Sequence, residues 1–447
     1  METMKLSQIA AHLGTQAPFE ADITDVSTDT RTLPEGCLFL ALRGKNFDGH
    51  DFVEKALAAG AVAAVTEGPV GEAPCLVVPD TGQALLDIAG LYRQQFDNPV
   101  CAVTGSVGKT TTKELIACVL SEKFETLKTQ ANLNNEIGCP KTLLCLTRQH
   151  GAAVIEMGMN HFGEISRMSR CTRPTVCVIT NIGFSHVEHL GSQEGILKAK
   201  LEILEGAAPD APLVTSADDT FLAPLRGTLG RPVYTFSTQG ADADVQARDI
   251  KEENGVTTFT IVHDGQEHLA VLPAIGEHNV KNALAAYLVG TLCGMEPQEI
   301  LCGLARYAPT GMRQNIKEMN GQTVIEDCYN ASPDSMRAAL GVLGGYPCEG
   351  RRIAVLGDML ELGDMSDVLH ASVGEMVTAA GIDLAVCYGQ AARQIAEHTT
   401  TESFCTQDAD ALTEYLRTHT GEGDVLLFKG SHGMHLEEII AQLYGRD

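Results

Sequence analysis

The 447-residue sequence has no uninterrupted apolar run long enough to span a membrane. Its first six residues also lack the apolar core of a signal peptide. It contains no internal repeat, low-complexity tract or long disordered tail. From these absences we expect a cytoplasmic protein that has no membrane partner.

Positive charge is scarce, because 32 lysine and arginine residues stand against 58 aspartate and glutamate residues, for a formal net charge of −26. This balance argues against nucleic acid or an anionic membrane as a partner. A nucleotide substrate would need local basic pockets within an acidic field. The hydrophobic share of 44% and the charged share of 20% are ordinary for a soluble globular protein.

Paired cysteines are also missing. The fourteen cysteines stand singly, with no Cys-x-x-Cys motif, and Cys101, Cys145, Cys177 and Cys387 lie in apolar runs. This distribution predicts small core residues in a reducing compartment, and argues against zinc ligands or a disulfide framework.

The length is sufficient for two to four domains, and the chain alternates apolar strands with helical patterns throughout. We predict an α/β protein with three domains: a small N-terminal α/β domain at 1–97, a central domain at 98–312 with a parallel sheet, and a Rossmann-like, doubly wound sheet at 313–447. The first boundary follows from the Asp-Asn-Pro break at 97–99. In the central domain, Asp264 and Gly265 predict a hairpin turn.

The clearest motif begins with the apolar residues 100–103, which predict a buried strand, and continues into a helical pattern at 109–120. Between them, Gly105 and Gly108 allow backbone N–H groups to approach an anion, which the N-terminus of the helix also attracts. The order of strand, glycine turn and helix therefore predicts a phosphate-binding loop.

In this loop, Lys109 is placed to reach terminal phosphates, and the hydroxyl of Thr110 is placed to bind Mg²⁺. The common pattern has four residues between its glycines. This sequence has two, because Val103 stands where the earlier glycine would be. The alternative interpretation is a glycine turn that merely starts a core helix.

Two polar residues follow further predicted strands. Glu156 ends the apolar run 152–155, and His186 closes a segment that follows the apolar run 175–180. The carboxyl ends of parallel strands meet at the edge where such sheets bind ligands. Glu156 is therefore expected to bind Mg²⁺ at a nucleotide phosphate rather than to be a solvated acid. For His186, a ligand role and a structural role remain equally open.

Lys200 lies in a predicted helix that follows Ser192. At about 100° per residue, Lys200 falls within the apolar arc of the helix, whereas Lys198 and Glu202 fall outside it. An inward ammonium must be paired, neutral or modified. Carbamylation by CO₂ would make it an anion able to bind a second Mg²⁺. A buried ion pair or a side chain that reaches solvent are the alternatives.

Side-chain amides are concentrated at Asn132, Asn134 and Asn135, in a loop suited either to recognising a peptide or sugar or to a surface turn. Asn279 opens a predicted helix and could cap its N-terminus, as could His278. Arg313 lies at the predicted junction of the second and third domains. It could reach a nucleotide phosphate or be a surface charge.

Together these residues and motifs resemble the Mur ligase family, over nearly the full length of the chain. The matching segments are 27–31 and 48–52 in the first predicted domain; 104–110, 132–140, 156–158, 181–192, 199–200 and 276–282 in the second; and 327–333, 356–363 and 429–431 in the third.

The resemblance implies a UDP-sugar-binding domain, a central ATPase and a C-terminal domain that closes over ATP. It implies an ATP-dependent amide ligase of peptidoglycan synthesis, which makes an acyl phosphate and transfers it to an amine. Several of the motifs resemble those of the member that joins D-alanyl-D-alanine to UDP-N-acetylmuramoyl-tripeptide. A monomer using ATP and two Mg²⁺ ions is expected.

The resemblance also implies roles for individual residues. Thr110 and Glu156 would hold one Mg²⁺, and Glu156, His186 and carbamylated Lys200 the second. ATP would be bound by Thr104, Gly105, Ser106, Val107, Gly108, Lys109, Thr110, Thr111, Asn279, Asn282, Arg313 and Asp327. Substrate would be bound by Ser27, Arg31, Asn132, Asn134, Asn135, Asn330 and Ser332, with the first two at the UDP end and the last two at the dipeptide.

Two residues depart from the family pattern. His432 stands where arginine is more usual, and Ser332 stands where asparagine is common. The alternatives within the same fold are a ligase that adds another residue of the stem peptide and a folylpolyglutamate synthetase. A nucleotide-gated switch is the alternative from another class. The switch does not explain a second metal site.

Overall fold

The computed structural model describes residues 1–44, 46–309 and 311–445. Within these residues the chain forms a two-stranded, a four-stranded, a nine-stranded and a six-stranded sheet. The predicted α/β class is confirmed. No helix of the described ranges is long and apolar enough to cross a membrane.

The N-terminal region carries the two smallest sheets. Strands β3 to β6 form the four-stranded sheet and are all parallel, whereas β1 and β2 pair antiparallel. Its elements are β1 Met4–Lys5, α1 Leu6–His12, β2 Asp22–Ile23, β3 Asp25–Ser27, β4 Cys37–Leu40, α2 Val53–Ala58, β5 Ala63–Thr66, β6 Cys75–Val77 and α3 Thr81–Arg93.

The central region is built on the nine-stranded sheet. Its order is β15-β14-β13-β12-β11-β10-β7-β9-β8, with antiparallel pairing only among β13, β14 and β15. The elements are β7 Val100–Thr104, α4 Lys109–Leu120, β8 Thr126–Lys128, α5 Gly138–Leu144, β9 Ala152–Glu156, α6 Glu164–Thr172, β10 Val176–Ile179, α7 Val187–Leu190, α8 Gln193–Leu201, β11 Leu213–Ser216, β12 Val233–Ser237, β13 Val245–Glu253, β14 Val256–His263, β15 Gln266–Leu272, α9 Glu277–Leu292 and α10 Pro297–Ala305.

The C-terminal region contains the six-stranded sheet, ordered β16-β17-β21-β18-β19-β20 and parallel except for β16. Its elements are β16 Asn315–Met319, β17 Gln322–Glu326, α11 Pro333–Gly345, β18 Arg352–Gly357, α12 Ser366–Ala379, β19 Leu384–Tyr388, α13 Arg393–Glu397, β20 Glu402–Thr406, α14 Ala409–His419, β21 Val425–Lys429 and α15 Leu436–Tyr444. This is the doubly wound arrangement expected from the alternation of strands and helices.

The inner parallel strands β7, β9 and β10 of the central sheet are buried on both faces, as their apolar sequences require. On β7, Cys101 and Val103 face a core that includes residues of α4, α9 and α10, whereas Val100 and Ala102 face a core that includes residues of α3, α5, α6 and α8. Both faces of the strand are therefore fixed by packing, and the loop that follows it starts from a rigid position.

The predicted domain boundaries fall in connecting segments. α3 ends at Arg93 before β7 begins at Val100, and α10 ends at Ala305 before β16 begins at Asn315. The exact division at 97/98 and 312/313 remains a prediction. The predicted hairpin turn is confirmed, since Asp264 and Gly265 join β14 to β15 with positive φ angles of 48° and 75°.

Three of the four cysteines expected in the core, Cys101, Cys177 and Cys387, are buried. Cys145 and Cys405 are exposed, which corrects the prediction of core positions for these two residues. Cys145 follows the last turn of the helix α5, where successive side chains point in different directions, so an apolar neighbourhood in sequence does not ensure burial. All fourteen cysteines are free thiols.

Candidate active site

Three adjacent strands of the central sheet end at the same edge. β7 lies between β10 and β9, and Val103 pairs with Glu156 while Thr104 pairs with Ile179. The glycine loop after β7, the carboxylate at the end of β9 and the segment after β10 therefore meet, as the parallel arrangement predicted.

The glycine loop is held by the segment after β10. Asn181 accepts a hydrogen bond from the N–H of Val107 through Oδ1 (3.0 Å) and donates to the Val107 carbonyl through Nδ2 (3.0 Å). A Cβ added at Gly105, where φ is 152°, would lie 1.8 Å from Oγ1 of Thr180. Added at Gly108, where φ is 80°, it would lie 2.9 Å from Oδ1 of Asn282. Both glycines are thus required by the close packing of the loop.

Lys109, the first residue of α4, folds back over the loop. Its Nζ donates to the carbonyls of Gly105 (2.8 Å) and Ser106 (3.3 Å). Burial lowers the pKa of the Lys109 ammonium to about 8, against a smaller opposing effect of Glu156. An anion bound in the loop would restore the charged form of this side chain.

Glu156 is buried, with only 1% of its surface exposed. Its Oε1 accepts hydrogen bonds from Oγ1 of Thr110 (3.0 Å) and Nδ2 of Asn134 (2.8 Å). Its Oε2 is also buried and accepts no hydrogen bond among the residues that the structure describes. A carboxylate with an unused oxygen beside a hydroxyl oxygen is the donor set that Mg²⁺ prefers, so these residues fit a magnesium ion.

His186 follows the segment that holds the loop. Its Nδ1 lies 2.5 Å from Oε2 of Glu361, which belongs to the C-terminal region. Burial is the largest effect on His186 and lowers the pKa of its imidazole, which favours the neutral form that a metal ligand requires. The hydrogen bond with Glu361 is the next-largest effect and raises this pKa, whereas the proximity of Lys109 and Lys200 lowers it and places both lysines within electrostatic range of the histidine.

Lys200 lies on α8 with 1% of its surface exposed, whereas Lys198 is exposed and lies over the ring of Phe162. The predicted inward and outward orientations are confirmed. Within the described ranges, the Lys200 ammonium has neither a hydrogen bond nor an ion pair, and the 1% exposure shows that the side chain is almost entirely enclosed. Burial and the charge of Lys109 lower the pKa of Lys200 well below its usual value.

No group of three or more His, Cys, Asp or Glu side chains in the described part of the chain is arranged to hold a metal ion. Glu156 and His186 supply only two such side chains. A second Mg²⁺ at this position would therefore complete its coordination with water, with phosphate oxygens or with a ligand of another type. Lys200 is the buried residue of another type within electrostatic range of His186.

A cavity of about 930 Å³ lies above the sheet edge, between the central and C-terminal regions. On the central side it is lined by the glycine loop, the amide loop, Glu156 and His186. On the C-terminal side it is lined by residues of the segment before α11 and by Lys429. The cavity therefore joins the predicted nucleotide and dipeptide sites.

The predicted nucleotide-binding residues outside the loop also line this cavity. Asn282 accepts from Oγ1 of Thr112 (3.0 Å), and Asn279 donates to the carbonyl of Ile275 (2.8 Å). Gly276 is the N-cap of α9, so the alternative that Asn279 or His278 is the cap is wrong. The guanidinium of Arg313 lies 4.3 Å from the ring centroid of Tyr329.

Asp327 lines the cavity from the C-terminal side. Its Oδ2 accepts from Nζ of Lys429 (2.7 Å), a lysine that is 1% exposed. Thr111 also lines the cavity, whereas Thr104, Gly105 and Thr110 do not. The hydroxyl of Thr104 is buried without a hydrogen-bond partner among the described residues.

Five of the seven predicted substrate residues line the cavity, and some of them also bond to the ends of helices. Asn132, Asn134, Asn135, Asn330 and Ser332 all line the cavity. Asn135 also accepts from the N–H of Gly138 (2.8 Å) at the start of α5, and Ser332 is the N-cap of α11. These two side chains stabilise helix ends, which the sequence interpretation did not foresee.

Ser27 and Arg31 do not line the cavity. They lie at the end of β3 and in the turn after it, where Arg31 pairs with Asp29 (2.7 Å) and keeps 83% of its side chain exposed. A link to the central region lies nearby, because Nζ of Lys141 donates to Oγ1 of Thr28 (3.4 Å). The structure therefore places these two residues apart from the nucleotide loop.

Sequence interpretation missed Lys113 and Glu361. Lys113 is 1% exposed and lies 3.8 Å from Glu156. The helical-periodicity argument used for Lys200 could have identified it, because Lys113 follows Thr110 by one turn of α4. Glu361 gave no such signal, since only the tertiary structure brings it to His186.

Comparisons with known proteins agree with this geometry. The family model described as "Mur ligase middle domain" matches residues 103–290, "Mur ligase, glutamate ligase domain" matches 312–432, and "Mur ligase family, catalytic domain" matches 22–84. UDP-N-acetylmuramoyl-tripeptide–D-alanyl-D-alanine ligase of Bacillus subtilis is 40% identical over 432 residues, covering 94% of this chain and 93% of its own.

Two solved structures are similar over the whole fold. A crystal structure of MurF from Acinetobacter baumannii has a TM-score of 0.92 and 34% identity, with 99% of each chain covered. The MurF ligase from Thermotoga maritima, solved in complex with ADP, has a TM-score of 0.86 and 28% identity, with 94% of this chain and 96% of that chain covered.

Proposed function

Because the chain belongs to the Mur ligase family, we propose that it joins D-alanyl-D-alanine to UDP-N-acetylmuramoyl-tripeptide in an ATP-dependent amide ligation of peptidoglycan synthesis. The products would be UDP-N-acetylmuramoyl-pentapeptide, ADP and phosphate. The observation that carries the proposal is the shared cavity, in which the glycine loop and Glu156 face the segment before α11. The free thiols support a reducing, cytoplasmic location, and the monomer remains a prediction.

In this reaction the peptide carboxylate attacks the γ-phosphate of ATP, and the amine of the dipeptide then displaces phosphate from the acyl phosphate. Catalysis of this kind rests on positioning and on neutralising crowded oxygens. The loop N–H groups and Lys109 would bind the phosphates. Mg²⁺ would supply further neutralisation of the phosphate charge, and Thr110 and Glu156 would hold it.

We also propose that Lys200 is carbamylated. Only a neutral amine attacks CO₂, and the buried, unpaired Lys200 has a pKa well below its usual value. The Nζ atom would form a bond to the carbon of CO₂ and release a proton, leaving a carbamate anion. This anion would join Glu156 and His186 as the third ligand of a second Mg²⁺ ion.

Release of phosphate from ATP is the direct test of the ligase. We expect release only when both UDP-N-acetylmuramoyl-tripeptide and D-alanyl-D-alanine are present, because the amine is needed to displace phosphate. The measurement is a coupled phosphate assay with each substrate omitted in turn. Release that does not depend on the dipeptide would contradict the proposal and favour a nucleotide switch.

ADP binding in the absence of metal should take up a proton at pH 8.5. The Lys109 ammonium has a pKa of about 8 in the free protein and is partly deprotonated there, whereas the phosphates of ADP would raise this pKa. At pH 6.5 the side chain is charged in both states and contributes no uptake. Affinity should therefore fall as pH rises through 8.

Calorimetric titrations of ADP in buffers of different ionisation enthalpy would measure this uptake. The Lys109→Met variant is the control, and it should lose the pH-dependent part of the proton uptake. Equal uptake in the variant and the unmodified protein would assign the proton to another group.

A further inference from the structure

Lys113 is a buried lysine that the proposed chemistry does not use. It lies on α4, one turn after Thr110, and 1% of its surface is exposed. Its Nζ donates to the carbonyl of Thr129 (2.8 Å) and pairs with Oε1 of Glu114 (2.8 Å). Removing a charged ammonium from water costs free energy, so a buried lysine stays charged only where its partners compensate for the lost hydration.

The third neighbour of the Lys113 ammonium is Oε2 of Glu156, at 3.8 Å. The helix α4 thus contacts both oxygens of this carboxylate: Thr110 donates to Oε1, and Lys113 faces Oε2. Because Thr110 also follows the glycine loop directly, the orientation of Glu156 is tied to the position of the loop.

We propose that Lys113 is a positioning residue that holds Glu156 in the orientation in which it receives a divalent cation. The inference rests on the proposed function, since it assigns the metal to Thr110 and Glu156. Residues that orient metal ligands from behind are a general requirement of metal sites. No hydrogen bond of Lys113 itself would reach the metal.

The Lys113 ammonium lies 3.8 Å from Oε2 of Glu156, which is beyond hydrogen-bond distance. Glu114 and Thr129 hold the ammonium back, so it neutralises Glu156 across a gap without forming a hydrogen bond to it. Glu114 is in turn paired with Lys128, which is partly exposed. Lys128, Glu114, Lys113 and Glu156 therefore form a chain of alternating charge that leads from the surface to the cavity.

The test compares ADP affinity with Mn²⁺ and with EDTA, measured by calorimetry, and counts bound Mn²⁺ by electron paramagnetic resonance. In Lys113→Met we expect the enhancement of ADP affinity by Mn²⁺ to fall about tenfold, because Glu156 loses its fixed orientation. ADP affinity in EDTA should stay nearly unchanged, since Lys113 does not reach the loop. Lys113→Arg should recover part of the enhancement.

Lys123→Met is the matched control, because this exposed lysine lies just after α4, donates to the carbonyl of Gly294 and lies over the ring of Phe124. Glu114→Gln provides a second variant that keeps the ammonium. It should also reduce the enhancement, because the released Lys113 can move to Glu156 and compete with the metal.

A folded Lys113→Met protein that keeps the full Mn²⁺ enhancement would overturn the proposal. If Lys113→Met does not fold, an unchanged enhancement in Glu114→Gln would overturn it instead. If Mn²⁺ did not enhance the ADP affinity of the unmodified protein, the conclusion would be a different one. That result would refute the metal site of the proposed function rather than the role of Lys113.

Discussion

Replacing Lys200 with alanine should lower kcat by about 10²–10³-fold, the range that follows loss of one preorganised electrostatic group in an active site. The variant removes the amine that would carry the carbamate. Lys200 has no hydrogen bond or ion pair with any described residue, but its side chain is fully buried, so truncation also leaves a cavity that lowers the free energy of unfolding. Turnover should therefore be compared at a temperature at which thermal unfolding shows that Lys200→Ala is folded.

Added short-chain carboxylic acid should partly restore the activity of Lys200→Ala, since it returns an anionic oxygen ligand to the space left by the side chain. Lys198→Ala is the control on the same helix, because Lys198 is exposed and touches the ring of Phe162. Coupled phosphate assays across a range of acid concentrations provide the measurement. Unchanged activity in Lys200→Ala would refute the carbamate.

A second readout does not depend on activity. Protein equilibrated with ¹³C-labelled bicarbonate should show a carbamate carbon signal in its nuclear magnetic resonance spectrum. The signal should be absent in Lys200→Ala and present in Lys198→Ala. Its absence from the unmodified protein would assign the buried lysine another role.

Those parts of the site that follow from local periodicity could be predicted from sequence. The strand, glycine turn and helix around Gly105 and Lys109 are ordered by residues that are adjacent in the chain. The meeting of Glu156 and His186 at one edge follows from the geometry of parallel strands. Lys200 was placed correctly because a helix repeats its faces at a fixed angle.

Other features depend on contacts that the sequence does not encode locally. Asn135 and Ser332 have polar groups that suit either a ligand or a helix end, and only the coordinates show that both accept hydrogen bonds from the first N–H groups of helices. The approach of Glu361 to His186 arises only when the two regions pack together.

Replacing Gly183 with alanine should reduce kcat by about a hundredfold, comparable to the loss of one positioned group at the site. Gly183 lies in the segment after β10, and its N–H donates to Oγ of Ser106 in the glycine loop (2.8 Å). A Cβ at this position would lie 2.0 Å from Oδ2 of Asp334, at the start of α11. Either the Asp334 carboxylate must rotate out of its buried position or the two regions must separate to make room.

The double variant Gly183→Ala with Asp334→Ala tests this cause, because it removes the carboxylate that the new methyl group meets. The double variant should be more active than Gly183→Ala alone. If the two substitutions acted independently, their losses of activity would add and the double variant would be less active. Gly341→Ala is the control, since its Cβ, also on α11, would meet no atom within 4 Å. Steady-state kinetics would report on the contact between the central and C-terminal regions, and ADP titrations would report on nucleotide binding alone. If the contact between the regions is disturbed, the loss in kcat should exceed the loss in ADP affinity. Equal losses would show that the glycine loop itself had been displaced, and the approach of α11 would not be the step that Gly183 protects.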